Sequence, residues 1–268
     1  MISKKYLMES EEETFRLELK TDTSVVKDQA IWAGIKPGMR VADIGCGPGL
    51  TTSVLHKLNQ PDGRTVGIDF SDSRIDYAKQ KYSQKNLEFI LRDVRDPLDD
   101  LGLFDFIWVR FLLEYYAKNS FEIVENLTTI LKPNGIICLI DLDHNCLNHY
   151  GIPERLEKNV NRIINEVAVK ANFDPFIGRK LYSFLYDLKF ENIVVSVSAH
   201  HNIYGLLEEK DKYNWLKKVE LGPQIINYKF EDYEGGYDEY LKEFHESFSN
   251  PRRFTYTPLI SCRGTKPK

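Results

Sequence analysis

The sequence predicts an α/β fold: a mostly parallel β-sheet with helices on both faces and a helical cover added late in the chain. Three observations carry that prediction. Between residues 36 and 144, short apolar or β-branched runs alternate with helix-length stretches, the pattern of βαβ units that builds parallel sheets. A cluster of closely spaced glycines joins the first such run to the first such stretch. From about Asp141 the rhythm changes to longer helical segments rich in aromatic residues.

Residues 1–35 read as helical and amphipathic, with Phe15, Leu17, Leu19, Val25, Val26, Ala30, Ile31 and Trp32 at three- and four-residue spacings. Lys36-Pro37-Gly38 punctuates the chain as a turn. Strands are expected at 40–44, 65–69, 87–91, 104–109 and 136–140. Between them, helices are expected after the glycine loop to Leu58, from a Ser71 cap towards Gln84, and over 120–131, the last closed by Pro133-Asn134-Gly135. Beyond Asp141, helices are expected over 153–171, 180–188 and most of 203–250, with strands at 193–199 and 254–262. No Gly/Ser-rich linker or internal repeat divides the chain, which reads as one domain.

Composition narrows the function classes. Thirty-six basic against 40 acidic residues give a net charge of −4, so no broad basic field is offered to nucleic acid. The longest apolar run is the five residues 136–140, far short of the ~20 that span a bilayer. Met1-Ile2-Ser3-Lys4-Lys5 leads into acidic Glu11-Glu12-Glu13 with no apolar core of a secretory signal. Cys46, Cys138, Cys146 and Cys262 form no C-x-x-C pair and read as reduced thiols of a cytoplasmic protein, without a metal.

The most informative stretch is Val41-Ala42-Asp43-Ile44-Gly45-Cys46-Gly47-Pro48-Gly49-Leu50. Strand, glycines and helix in that order let a ligand approach a backbone that carries no Cβ. The glycines fall as G-x-G-x-G, and Leu50 stands where the dinucleotide pattern needs a third glycine. Asp43 precedes the first glycine by two residues, where a carboxylate repels a pyrophosphate and holds an ammonium. Asp69 ends the second strand and Asp93 follows the third.

This pattern resembles the class I S-adenosylmethionine-dependent methyltransferases, as do Phe104-Asp105-Phe106-Ile107 and Leu131-Lys132-Pro133-Asn134-Gly135. The resemblance implies a Rossmann-like seven-stranded sheet, with 254–262 as an antiparallel last strand. It implies Asp43, Gly45, Gly47 and Gly49 around the methionine part of S-adenosylmethionine, and Asp69 on both ribose hydroxyls. Asp93 would accept from the adenine amino group while the Val94 N–H donates to the ring, with Phe70 and Val94 as apolar walls. Cys46, inside the loop, reads as a small polarisable filler rather than a nucleophile. The product would be S-adenosylhomocysteine.

Further blocks resemble a bacterial small-molecule subgroup: Tyr6-Leu7 with Glu12-Glu13-Thr14-Phe15-Arg16-Leu17, Asp141-Leu142-Asp143-His144, Asp174-Pro175-Phe176-Ile177-Gly178-Arg179-Lys180-Leu181, and Cys262-Arg263-Gly264-Thr265-Lys266-Pro267. Lys20 stands where that subgroup has Gln. The resemblance divides the single domain 1–268 into lid helices (1–35), cofactor-binding core (36–144) and helical cover with the last two strands (145–268). Arg110 would hold the cofactor carboxylate, or else form a surface pair with Glu114. Tyr6 and Arg16 would close over the cofactor, or else lie on a solvated helix face.

Methyl transfer asks mainly for in-line positioning, and for a base only where the acceptor carries a proton. His144, past the fifth strand, is the candidate base; His149, Glu114, Tyr115 and Tyr116 are further ones. Tyr182, Tyr186, Tyr204, Trp215, Tyr228, Tyr237 and Tyr240 give the cover aromatic walls that suit a planar, apolar or onium acceptor, or simply pack its helices. The reading is a methyltransferase with a small-molecule acceptor, a monomer or homodimer, without nucleic-acid or membrane partners. A cofactor-binding partner or sensor module, a macromolecular methyltransferase and a nicotinamide oxidoreductase are the alternatives. The missing Asn/Asp-Pro-Pro-Tyr/Phe motif after the fourth strand and Leu50 weigh against the last two.

Overall fold

A computed structural model describes residues 21–144 and 148–268. Eight strands form one sheet: β1 (Arg40–Ile44), β2 (Arg64–Asp69), β3 (Leu87–Leu91), β4 (Phe104–Arg110), β5 (Leu131–Leu142), β6 (Asn148–Tyr150), β7 (Glu191–Tyr204) and β8 (Phe254–Thr265). The first five are parallel in the order β3-β2-β1-β4-β5. β8 then runs antiparallel to β5 and to β7, so the antiparallel last strand expected from the resemblance sits between them.

Why the sheet is covered on both sides is visible in the two-residue period of its strands. Ala42, Ile44, Ile107, Val109, Ile137 and Leu139 point to one face, and their neighbours Val41, Phe106, Trp108, Cys138 and Ile140 to the other. Helices α1 (Thr23–Ala33) and α2 (Leu50–Leu58) pack on the second face through Val26, Ala30, Ala33 and Leu55. On the same side, α3 (Asp72–Tyr82) sets Ile75 and Ala78 against Phe89 and Cys46. The first face takes α4 (Ser120–Thr129), through Ile123, Val124 and Leu127. The cover consists of α5 (Glu154–Lys170), α7 (Glu209–Ile226) and α8 (Gly236–Ser249), while the short α6 (Leu181–Asp187) joins α4 on the first face through Leu181 and Leu185. Leu156, Ile163, Trp215, Tyr240, Phe244 and Phe248 form the core of the cover, and Ile203 of β7 ties it to the sheet.

Local chemistry explains the ends of α1: the Asp22 carboxylate accepts the Ser24 and Val25 N–H groups, and Gly34 closes the helix at φ 98°. Ser71 stands at the start of α3 in extended conformation but gives it no side-chain cap; its hydroxyl hydrogen-bonds with Ser73 Oγ instead. The structure departs from the sequence reading in further places: β5 starts at Leu131 rather than Ile136, and β8 ends at Thr265 rather than Cys262. β6 is an unanticipated three-residue strand. β7 extends from Glu191 to Tyr204 rather than 193–199, because the twelve-residue β8 pairs along its whole length with two bulges. Residues 203–250 hold two helices broken at Asn227, whose φ of 52° ends α7. No helix of the described residues is long and apolar enough to cross a membrane.

Candidate functional site

β1 delivers the chain into a loop whose three glycines all have positive φ: Gly45 at 74°, Gly47 at 52° and Gly49 at 92°. Two of them leave no room for a side chain, and the third is open. A Cβ on Gly45 would lie 2.8 Å from Leu112 Cδ1, and one on Gly49 would lie 2.9 Å from both Ala78 Cβ and Phe89 Cε1. On Gly47 it would meet nothing within 4 Å, so there the backbone is bare to a ligand. Behind the loop, Cys46 is buried, its thiol pushed well above its ordinary pKa by burial. Its Sγ lies 3.1 Å from where a Cβ on Gly67 would sit.

Three carboxylates stand at or just past the carboxyl ends of β1, β2 and β3. Asp43 is 2% exposed and accepts the Thr52 hydroxyl at 2.7 Å. Burial raises its pKa from 3.8 to about 7; the Thr52 bond and Arg110 oppose this, and the charge of Asp69 adds to it. Asp69 accepts the Gly47 N–H at 2.9 Å on one oxygen and the Ser71 N–H at 3.0 Å on the other, so it fixes both the loop and the start of α3. Asp93 accepts the Arg95 N–H at 3.0 Å and its Nε at 2.9 Å. Val94 is buried, its carbonyl accepting from Asn126 Nδ2 at 2.9 Å, and Phe70 is half-buried at the end of β2.

Arg110 ends β4 partly buried, donates to Gln29 Oε1 of α1 at 3.2 Å and lies 4.1 Å from the Phe111 ring. Burial lowers its pKa to about 10, against the charges of Asp43, Asp141 and Asp22. Glu114, the other partner considered for Arg110, is buried beside Asp141. Arg110 also lines a cavity of about 280 Å³ together with Asp22, His200, His201, Asp211 and Leu259.

Two residues at this edge have positive φ without being glycine: Phe111 at 56° after β4 and His144 at 55° after β5. Such conformations are strained for side-chain-bearing residues and concentrate at functional sites. His144 stacks on Phe176 at 5.3 Å, and its Nδ1 lies 2.6 Å from Asn148 Oδ1. The neighbouring Asp143 is held by Arg179 Nε at 2.7 Å. His149 bonds Thr255 Oγ1 at 2.8 Å under the cover. Tyr6 and Arg16 lie outside the described residues. Among the described residues no group of three or more His, Cys, Asp or Glu side chains is placed to hold a metal ion.

Sequence reasoning missed Thr52 and gave Asp141, named only within a resembling block, no role of its own. Thr52 lies nine positions after Asp43, and only the turn of α2 brings its hydroxyl back; the signal available was a hydroxyl residue in the first turn after the glycines. Asp141 accepts the Leu113, Glu114 and Leu142 N–H groups at 3.0, 3.3 and 2.9 Å and so pins the turn that follows β4. An acid directly after the apolar run 136–140 was its signal.

Comparison with known proteins agrees with this layout. Residues 35–217 match the methyltransferase domain family. The demethylmenaquinone methyltransferase of Staphylococcus aureus (strain JH9) is 30% identical over 141 residues, 52% of this chain and 56% of that protein. The chain thus spans about half the length of the curated relatives it matches. Among solved structures, a cyclopropane-fatty-acyl-phospholipid synthase-like protein from Lactobacillus casei ATCC 334 superimposes with a TM-score of 0.60 at 14% identity, covering 97% of this chain and 95% of that one. Coclaurine N-methyltransferase, bound to N-methylheliamine and SAH, gives 0.53 at 18% identity, covering 90% and 72%. At these identities the structures speak to the fold. With the family match extending over well over half of its length, the chain belongs to the methyltransferase domain family, among the class I S-adenosylmethionine-dependent methyltransferases.

Proposed function

We propose that the chain moves a methyl group from S-adenosylmethionine to a small-molecule acceptor and releases S-adenosylhomocysteine. The observation that carries this reading is the row of Asp43, Asp69 and Asp93 at the ends of three adjacent parallel strands, around a loop whose Gly47 is open to a ligand. The name of the Staphylococcus relative, an enzyme for demethylmenaquinone, supports a small-molecule acceptor.

The residues present fit the cofactor. Asp43, buried with its pKa near 7, is a carboxylate that a ligand ammonium would stabilise in its charged form. Asp69 spends one lone pair of each oxygen on a backbone N–H and keeps the others for two hydroxyls. Asp93 and the Val94 N–H would read the adenine edge, with Phe70 and Val94 flanking the ring, and Arg110 would hold the carboxylate of the methionine part. Tyr6 and Arg16 belong to this reading as groups closing from the N-terminal side. When bound, the sulfonium supplies an electrophilic methyl; the protein's part is to orient it and to exclude water.

Asp69→Ala is expected to weaken S-adenosylhomocysteine binding by ~1.5–3 kcal/mol, the scale of hydrogen bonds to a charged group. Titration calorimetry reads this, and unchanged affinity would remove the ribose from Asp69. The whole reading rests on the same titration of the parent protein: low-micromolar or tighter binding supports it, and a folded protein that binds neither cofactor nor product overturns it.

His144 is the candidate base. Its Nδ1 lies 2.6 Å from Asn148 Oδ1, a contact that orients the ring and leaves Nε2 as the nitrogen to take a proton from the acceptor. For an acceptor that must lose a proton, His144→Ala is expected to lower turnover by ~10²-fold or more while cofactor affinity stays the same. Equal turnover would leave His144 as a support for the loop after β5.

A further inference from the structure

Beside the glycine loop the described residues enclose a cavity of about 280 Å³, the space of roughly nine waters. Strand register places it. Val109 of β4 pairs with Ile44 of β1, so Arg110 stands next to Gly45, where the loop begins. Arg110 shares a face of β4 with Phe106 and Trp108, and Val41 and Asp43 of β1 turn to that same side. Leu259 of β8 packs on this side too and lines the cavity. Arg110 lines it as well and feels the charge of Asp43. The space therefore adjoins the place assigned to the methionine part of the cofactor.

Its wall is divided. Val25, Ile203 and Leu259 make one part apolar, while Asp22, Asp211, His200 and His201 make another part polar. Both imidazoles are held in place. His201 Nδ1 lies 3.3 Å from the hydroxyl of buried Thr257, and the His200 ring packs 4.9 Å from the ring of Phe111. Phe111 is the residue kept at positive φ directly after Arg110, so the strained turn after β4 supports this wall.

The fixed charges on the lining are two carboxylates and one guanidinium. Asp22 acts on Arg110, and Asp211 acts on Arg253 as well as facing the cavity. Cofactor binding shifts this balance, because Asp22 then shares Arg110 with the carboxylate of the methionine part.

We propose that this cavity is the acceptor pocket and that the acceptor is a small amine, held by Asp22 and Asp211 with its hydrocarbon part on Val25, Ile203 and Leu259. This rests on the methyltransferase reading above and names its substrate class. The amine arrives as its ammonium and first gives one proton to an imidazole of the site or to water. Its nitrogen lone pair then forms the N–C bond while the C–S pair returns to sulfur. The positive charge thus leaves the sulfonium and reappears on the methylated nitrogen. Carboxylates beside the place where that charge develops stabilise the transition state. An anionic acceptor would be repelled by the same wall, and a neutral hydroxyl would make only the weaker bonds of an uncharged donor.

The test is calorimetric titration of benzylamine, benzyl alcohol and benzoate into the full chain, with and without S-adenosylhomocysteine. Benzylamine is expected to bind, and more tightly once the product's carboxylate occupies Arg110. Benzyl alcohol is expected to bind at least ~10-fold more weakly, and benzoate more weakly still. Asp22→Asn and Asp211→Asn are each expected to lose ~10-fold in benzylamine affinity, while benzyl alcohol affinity changes by less than ~2-fold. A merely structural role would move both ligands together. Asparagine also caps a helix, so α1 keeps its start, and the comparison of three ligands in the parent protein needs no variant at all. The proposal is overturned if the parent protein binds no benzylamine, if benzyl alcohol or benzoate binds as tightly, or if either variant keeps full benzylamine affinity. Benzylamine affinity that ignores S-adenosylhomocysteine overturns the place beside the cofactor. Product binding by the same samples reads the methyltransferase assignment separately. Product binding without a preference for the amine defeats the pocket alone, and amine binding without product binding defeats that assignment alone.

Discussion

Asp43→Asn is expected to yield a protein that is more stable above pH 7 and binds S-adenosylhomocysteine far more weakly. The folded pKa of Asp43 is about 7 against an ordinary 3.8. Between those values the folded chain binds a proton that the unfolded chain releases, so stability falls as pH rises from about 4 to about 7 and stays low above it. The distance between the two values caps this destabilisation at about 4 kcal/mol. Asparagine escapes it and keeps an oxygen for the Thr52 hydroxyl, although Arg110 then loses one of its carboxylate neighbours. A net gain of ~2 kcal/mol would raise Tm by ~4–8 °C at pH 8, shrinking towards zero near pH 4. Thermal unfolding of both proteins across that range checks it, and parallel pH profiles would mean that Asp43 ionises normally. In the same variant, S-adenosylhomocysteine affinity is expected to fall ~100-fold, since a charged partner is lost in a buried site. In the parent protein, affinity for a ligand ammonium should weaken as pH drops below about 7, where Asp43 takes up its proton.

Asp141→Ala is expected to destabilise the fold by ~3–5 kcal/mol, because three backbone N–H groups lose their acceptor inside the protein. Two of them belong to the turn after β4, where Phe111 is held at positive φ and Leu112 packs over Gly45. Loosening that turn also loosens the glycine loop, so cofactor affinity should fall together with stability. Urea unfolding measures the first effect; a loss below ~1 kcal/mol would show that the turn finds other acceptors.

These two aspartates show how unevenly the site could be read in advance. Asp43 was legible because its meaning is carried locally, two residues before a glycine loop. Asp141 was legible only as part of a resembling block, since its three donors lie in another part of the chain or on its immediate neighbour. The same contrast runs through the fold. β1 and β2 have nearly the bounds that their apolar runs suggest, because a strand buried on both faces must be largely apolar. β7 does not: its residues are largely exposed, and its length is set by pairing with β8, which no pattern within β7 encodes.

The amino-acid sequence by itself determined the fold class and the family. Strand-and-helix periodicity, glycines at positive φ and acids at strand ends are constraints written within a few residues of one another. Only the tertiary structure decided the chemical state of those residues. The raised pKa of Asp43, the lowered pKa of Arg110 and the placement of Arg110 against Gln29 all depend on burial and on groups brought together from distant parts of the chain. Desolvation is a property of the packed whole, so no local pattern could have announced it.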